Sequence, residues 1–135
     1  MIRVAFCSED EQYIDAHFAR SSNIIIYEFA PSSFYKVGIL SFKSKGIKDN
    51  NPKEILEHQD YEREDEEKRL LERIEAVKGC SILYCSQIGG PAVTRLMQHN
   101  VFPLKTQGEM RIDEAAQRLH QMFINNPPHW LQNKF

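Results

Sequence analysis

The residues of this 135-residue chain whose types suit chemistry are His17, Cys7, Cys85 and the pair Gly89-Gly90. The stretch YIDAHFARSSNIIIYEF, residues 13–29, sets Asp15 and His17 two positions apart in a short polar loop that runs straight into an apolar segment. A histidine there can be a packed surface residue, a catalytic base or a metal ligand. Asp15 can orient its ring, as carboxylates do for metal-bound histidines, or it can cap a turn. Cys7 and Cys85 each end an apolar run, IRVAFC and CSILYC. A free cysteine so placed is either an inert small hydrophobe or a soft ligand for a metal or cluster. IGGPAV places Gly89 and Gly90 ahead of a helical pattern, where backbone N–H groups suit an anion. It matches neither GxGxxG nor GxxxxGK(S/T), so nucleotide binding by either motif is unsupported.

Composition narrows the classes. With 41% apolar and 27% charged residues the chain is an ordinary globular protein, and its length is that of one domain, 1–135, able to bury a core without staples. A net charge of −2 supplies no basic field, which disfavours nucleic acid and anionic lipid as partners. The apolar run near the N-terminus is too short for a secretory signal and no run approaches a membrane span, so a cytoplasmic protein is expected. Three cysteines without even spacing are expected as thiols, and without CxxC or HxxxH a standard structural zinc site is not expected. Of the other histidines, His58 and His99 read as surface residues, His120 as a partly buried, hydrogen-bonded helix residue, and His129 as part of an exposed tail. No Ser-His-Asp or Cys-His pair can be argued from spacing. Cys85 with His17 as an activated thiol is conceivable, with no substrate specified.

The elements that must position these residues follow from periodicity. Residues 2–7 read as a strand buried on both faces, and 22–30 and 34–42 as a hairpin across the turn Pro31-Ser32-Ser33. Residues 43–60 read as a polar loop, with room for one helical turn. From 61 to 77 the pattern is helical, with Leu70, Leu71, Ile74 and Val77 on the buried face, an acidic front half, and Gly79 as the C-cap. A strand over 80–85, a helix after Pro91, an edge strand over 101–105 and a helix over 111–126 complete the set, followed by an irregular tail from about 127 that Trp130 packs down.

The order β-β-β-α-β-α-β-α implies an α/β fold: a five-stranded mixed sheet, strand order 3-2-1-4-5, flanked by helices. That arrangement resembles the ribonuclease H-like fold. Ligands of such sheets sit beyond the carboxyl ends of the parallel strands, where the strand order reverses. Here that is the edge between the first and fourth strands, which gathers Cys7, Cys85, the His17 loop and the Gly89-Gly90 turn. Parity adds that Cys80 and Cys85, five apart on one strand, point to opposite faces, leaving Cys80 a core residue. A ribonuclease H-like nuclease needs carboxylates on its first strand to hold divalent metals, and IRVAFC has none.

Several stretches taken together, DAHF after the first strand, IIIYEF on the second, GCSILYCSQIGGPAVTRLMQHNVFPLK and the ending NPPHWL, resemble the NifX/NafY family of nitrogenase cofactor-biosynthesis proteins. The likeness runs over nearly the whole chain and is thinnest between 43 and 75. It implies a carrier rather than an enzyme, one that holds the iron-molybdenum cofactor or its iron-sulfur precursor cluster and exchanges it with scaffold and precursor-synthesis proteins. The family's D-x-H-F-G histidine falls on His17, the implied principal metal ligand. Cys85 and then Cys7 are lesser candidates, with Gly89 and Gly90 as an anion-tolerant backbone. Ala19 stands in place of the family's glycine, and a positive φ at that position would strain it or divert the loop. Reversible carriage suits few protein ligands, since four cysteines would make a permanent site. Arg20 and Arg95 are either solvated surface or a cationic complement to an anionic cluster. The alternative is a module of the same fold that regulates nitrogenase assembly through protein contacts, such as its acidic helix, without holding a cluster.

Overall fold

The computed structural model describes residues 1–42 and 66–129. Five strands, β1 (Ile2–Ser8), β2 (Asn23–Phe29), β3 (Phe34–Ser41), β4 (Ile82–Cys85) and β5 (Phe102–Lys105), form one sheet in the order β3-β2-β1-β4-β5. β1 pairs antiparallel with β2 and parallel with β4, β2 pairs antiparallel with β3, and β4 pairs parallel with β5. This is the expected 3-2-1-4-5 sheet. Pro103 lies in β5, at the sheet edge, as its missing N–H requires. The expected loop over 43–60, the helix start at 61 and the packing of Trp130 fall outside the described residues.

Helix α1, described over 66–77, and α2 (Gly90–Gln98) cover one face of the sheet, while α3 (Ile112–Asn125) covers the other. Alternation along the strands divides the core accordingly. Ala5 and Cys7 of β1, Ile24 and Ile26 of β2, and Leu83 and Cys85 of β4 face the first pair of helices. Ile2, Val4 and Phe6, with Ile25, Phe29 and Ile82, face α3. β1 is the central strand and is buried on both sides, hence its near-continuous apolar run. In the β2–β3 pair the register shifts after Ile26, which sits opposite Gly38 while Tyr27 sits opposite Lys36, leaving Val37 as the extra residue of a bulge.

Local signals hold at the helix ends. Gly79 has φ +91°, the left-handed conformation that closes α1, and Pro91 occupies the first turn of α2, where a missing N–H costs nothing. Two expectations need correction. Leu71 is 48% exposed, and the buried position beside Ile74 and Val77 is taken by Arg73, 4% exposed. The spacing 70, 73, 74, 77 is the helical stripe, and a hydrophobicity criterion passes over its arginine. Cys80 and Cys85 share the same core cluster, because β4 begins at Ile82 and Cys80 precedes it, so strand parity does not relate the two.

Candidate functional site

The loop after β1 is built by local side-chain turns. Asp10 accepts the N–H groups of Gln12 and Tyr13, both at 2.9 Å, which holds its carboxyl below the usual carboxylate range. Asp15 accepts the N–H of Glu9 at 2.8 Å. It caps this turn, the structural one of its two possible roles.

Beyond that turn the chain lies alongside the loop that follows β4. The N–H of Ser86 donates to Ala16 at 3.1 Å, the N–H of Phe18 donates to Gln87 at 3.0 Å, and His17 and Gln87 form a parallel bridge. The two loops thus prolong the β1–β4 pairing past the strand ends, at the point where the strand order reverses. Phe18 is fully buried and anchors a short 3-10 turn, Phe18–Arg20. His17 is its N-cap: Nδ1 accepts the N–H of Ala19 at 3.3 Å. Ala19 is the middle residue of that turn and has no positive φ, so alanine fits where the related loop has glycine.

The turn is held at its far end by Arg73. Its guanidinium donates to the Ser21 carbonyl at 2.7 and 3.2 Å, to Ser21 Oγ at 3.3 Å and to the Arg69 carbonyl at 3.0 Å, and lies 4.4 Å from the Phe42 ring centroid. Ser21 Oγ in turn donates to the Phe18 carbonyl at 2.9 Å. A rigid fork from α1 therefore fixes the segment that begins at His17. Sequence reading passed over Arg73, although its helical spacing places it on the buried stripe.

His17 and Gly89 line one cleft of about 680 Å³, together with Ala19, Pro91, Ala92 and Leu70 of α1. Its charged lining among the described residues is three arginines, Arg20, Arg69 and Arg95, against Glu66 and Glu67, so positive charge leads. Arg20 Nη2 meets Glu66 at 3.3 Å and Arg95 Nη2 meets Glu67 at 2.9 Å. His17 is half-buried, and partial desolvation, then Arg20, draws its pKa below the ordinary 6.5. Its imidazole is neutral at neutral pH, with the lone pair of Nδ1 engaged by the Ala19 N–H. Gly89 caps α2 with extended backbone and no side chain between the helix N-terminus and the cleft, and Gly90 is exposed as the first residue of that helix.

Cys7 and Cys85 stand behind this cleft rather than in its lining. Both are 0% exposed within the core. Burial pushes the Cys85 thiol up to about 11, and Cys7 is raised by burial and then by Cys85. Cys85 Sγ donates to the Leu104 carbonyl at 3.6 Å. Both are protonated at neutral pH, the state of a core thiol. His120 behaves as expected, with Nε2 at 2.9 Å from the Ala30 carbonyl. Among the described residues no three His, Cys, Asp or Glu side chains converge to hold a metal ion. No described helix is long and apolar enough to cross a membrane.

Comparison with known sequences places this switch-point domain in a family. Residues 1–122 match the family described as "Dinitrogenase iron-molybdenum cofactor", and the chain belongs to it. Protein NifX of Sinorhizobium fredii is 25% identical over 97% of this chain and 76% of its own length. Protein NifX of Azotobacter vinelandii is 28% identical over 97% and 73%. Protein NifY of Klebsiella pneumoniae is 28% identical over 94% of this chain and 48% of its own length. A solved structure described as "Crystal structure of PH0822" superposes with a TM-score of 0.51 over 91% of this chain and 88% of that one, at 14% identity, a likeness of fold alone. Family membership gives the chain a role in nitrogenase cofactor biosynthesis.

Proposed function

We propose that the chain is a non-catalytic carrier that takes up the iron-molybdenum cofactor or its iron-sulfur precursor cluster and passes it between nitrogenase scaffold and precursor-synthesis proteins. The observation that carries this reading is His17: a neutral imidazole on the wall of a cleft at the topological switch point, set among cationic side chains. A cargo that brings its own sulfides needs few ligands from its carrier, and one imidazole on a 680 Å³ cleft fits that need. Cys7 and Cys85 enter as ligands only if the core opens to expose them, which ranks them well below His17.

The N-cap supplies a means of release. Ligation through Nδ1 takes the lone pair that receives the Ala19 N–H. Ligation through Nε2 moves the ring proton to Nδ1, which can then no longer accept. Either way, loading breaks the 3.3 Å cap and unloading restores it, an opposing contribution of about 0.5–1.5 kcal/mol. Weak opposition of this kind favours exchange over storage.

The test is anaerobic uptake of the precursor cluster by the wild-type chain and by His17→Asn. Asparagine keeps a capping acceptor for the Ala19 N–H and loses the imidazole. The expected outcome is a coloured wild-type protein and at least about tenfold weaker uptake by the variant, as loss of a single ligand entails. Equal uptake removes His17 from the ligand set. No uptake by either protein, with stable binding to a scaffold protein, favours the regulatory module instead.

A further inference from the structure

The Arg95 guanidinium is paired at only one of its two terminal nitrogens among the described residues. Nη2 is held by Glu67 at 2.9 Å, while Nη1 is shielded from solvent and has no hydrogen-bond partner among the described residues. A buried, unpaired guanidinium N–H is costly, and a carboxylate well placed for Arg95 would engage both nitrogens. Glu67 is therefore an incomplete partner. Arg20, 69% exposed at its side chain, is likewise paired to α1 by a single ion pair among the described residues, at 3.3 Å, to Glu66. In both pairs the cation comes from the 3-10 turn or α2 and the anion from α1. All four side chains line the same space as His17.

We propose that Glu66 and Glu67 are placeholders, whose carboxylates occupy at Arg20 and Arg95 the positions taken by the anionic groups of a polyanionic ligand. Loading then exchanges two internal ion pairs for two ligand pairs, and the second anchor gains the bidentate partner that Arg95 Nη1 lacks. The exchange is inexpensive because exposed ion pairs contribute little. Glu66 and Glu67 are 59% and 60% exposed at their side chains, so each can turn to solvent when displaced. The two carboxylates also set a charge threshold: a ligand with a single negative charge leaves one pair intact and meets the repulsion of the other glutamate. The cleft thus selects for ligands with two or more anionic groups. The inference takes the cleft to be the ligand site, as the carrier reading does, but it rests on the arginines and not on His17.

Citrate is a suitable probe, followed through the Arg20 and Arg95 Nε–H signals by NMR at low ionic strength. In the wild-type chain these two signals move together as citrate is added. Glu66→Gln/Glu67→Gln binds citrate about three- to tenfold more tightly, the range for removing two competing surface pairs. The charge-matched control is Glu75→Gln/Glu114→Gln, which removes two exposed pairs, to Lys78 and Arg118, away from the cleft. It leaves the affinity within about twofold, as a general charge effect on an exposed, screened surface should. Arg95→Gln weakens citrate about tenfold. Equal tightening in the two double variants overturns the proposal, as does citrate binding that leaves Arg20 and Arg95 unmoved or no binding at all. Citrate exchange is read at Arg20 and Arg95 and cluster uptake at His17, so the two results fail independently. Cluster uptake without citrate exchange refutes the placeholders and leaves the carrier, and the reverse outcome does the opposite.

Discussion

On the α3 side of the sheet Phe6, Phe29 and Phe123 are fully buried, with Tyr27, Phe34 and Tyr84 packed around them at ring-centroid distances of 5.3–6.4 Å. On the α1–α2 side the core is Ala5, Cys7, Ala16, Cys80, Cys85 and Ala92 among aliphatic residues, with Phe18 as the buried aromatic. Large rings on one face supply burial in bulk, and small side chains on the other let the His17 loop and a guanidinium approach the sheet closely. That second face also carries the buried polar pair Ser21 and Arg73. The contrast teaches a division of labour. Stability is concentrated under α3, while the geometry of the cleft depends on polar contacts beneath α1.

Deleting a ring tests the first half of that contrast. Phe29→Ala or Phe123→Ala should cost about 3–5 kcal/mol in denaturant unfolding while leaving the His17 ring signals in place. Shifted His17 signals in the folded variant break the division. The thiols of the small-residue face provide the next test. With Cys80 and Cys85 raised to about 11 and Cys7 raised as well, alkylation at pH 8 should run about a hundredfold slower in the native protein than in denaturant, where all three react. A rapid native reaction at Cys85 reopens it as a ligand.

Arg73→Ala should remove about 1.5–3 kcal/mol, the range for hydrogen bonds to a charged donor, and shift the Ala19 amide as the turn loosens. Arg73→Lys should recover only part of either effect, because an ammonium cannot reproduce the fork on Ser21. A full recovery reduces Arg73 to a point charge. The smallest effect is the pH dependence from His17. Its folded-state pKa lies below the ordinary 6.5, so the unfolded chain binds its proton first as pH falls. The contribution to stability is complete above about pH 6.5 and is lost as pH falls through the folded-state value. The difference in unfolding free energy between wild type and His17→Asn should therefore narrow on acidification, and a flat difference argues against a desolvated imidazole.

Much of the sheet was legible because its strands are apolar runs bounded by turn residues, and β1 announces its central place by a near-continuous apolar run, interrupted by Arg3. The meeting of the His17 loop with the Gly89 turn followed from that order by topology. Less legible was anything that needs a side chain to act against its type. Arg73 occupies a core position that only its spacing betrays, and Leu71 was taken in its place because hydrophobicity outweighed a 3.6-residue period. Cys80 is the core residue expected, but it was assigned to the wrong face, because parity holds only within a strand and the β4 boundary at Ile82 is not written in CSILYC. The Arg20–Glu66 and Arg95–Glu67 pairs join residues 46 and 28 positions apart, and no local pattern encodes them.

The central claim, that the His17 imidazole contacts the cargo, is tested most directly by pulsed EPR on the anaerobically loaded protein in a paramagnetic state of the cluster. The account predicts a nitrogen coupling of imidazole type in the wild-type chain that disappears in His17→Asn while the Ala19 amide remains capped. The same coupling in both proteins would contradict it.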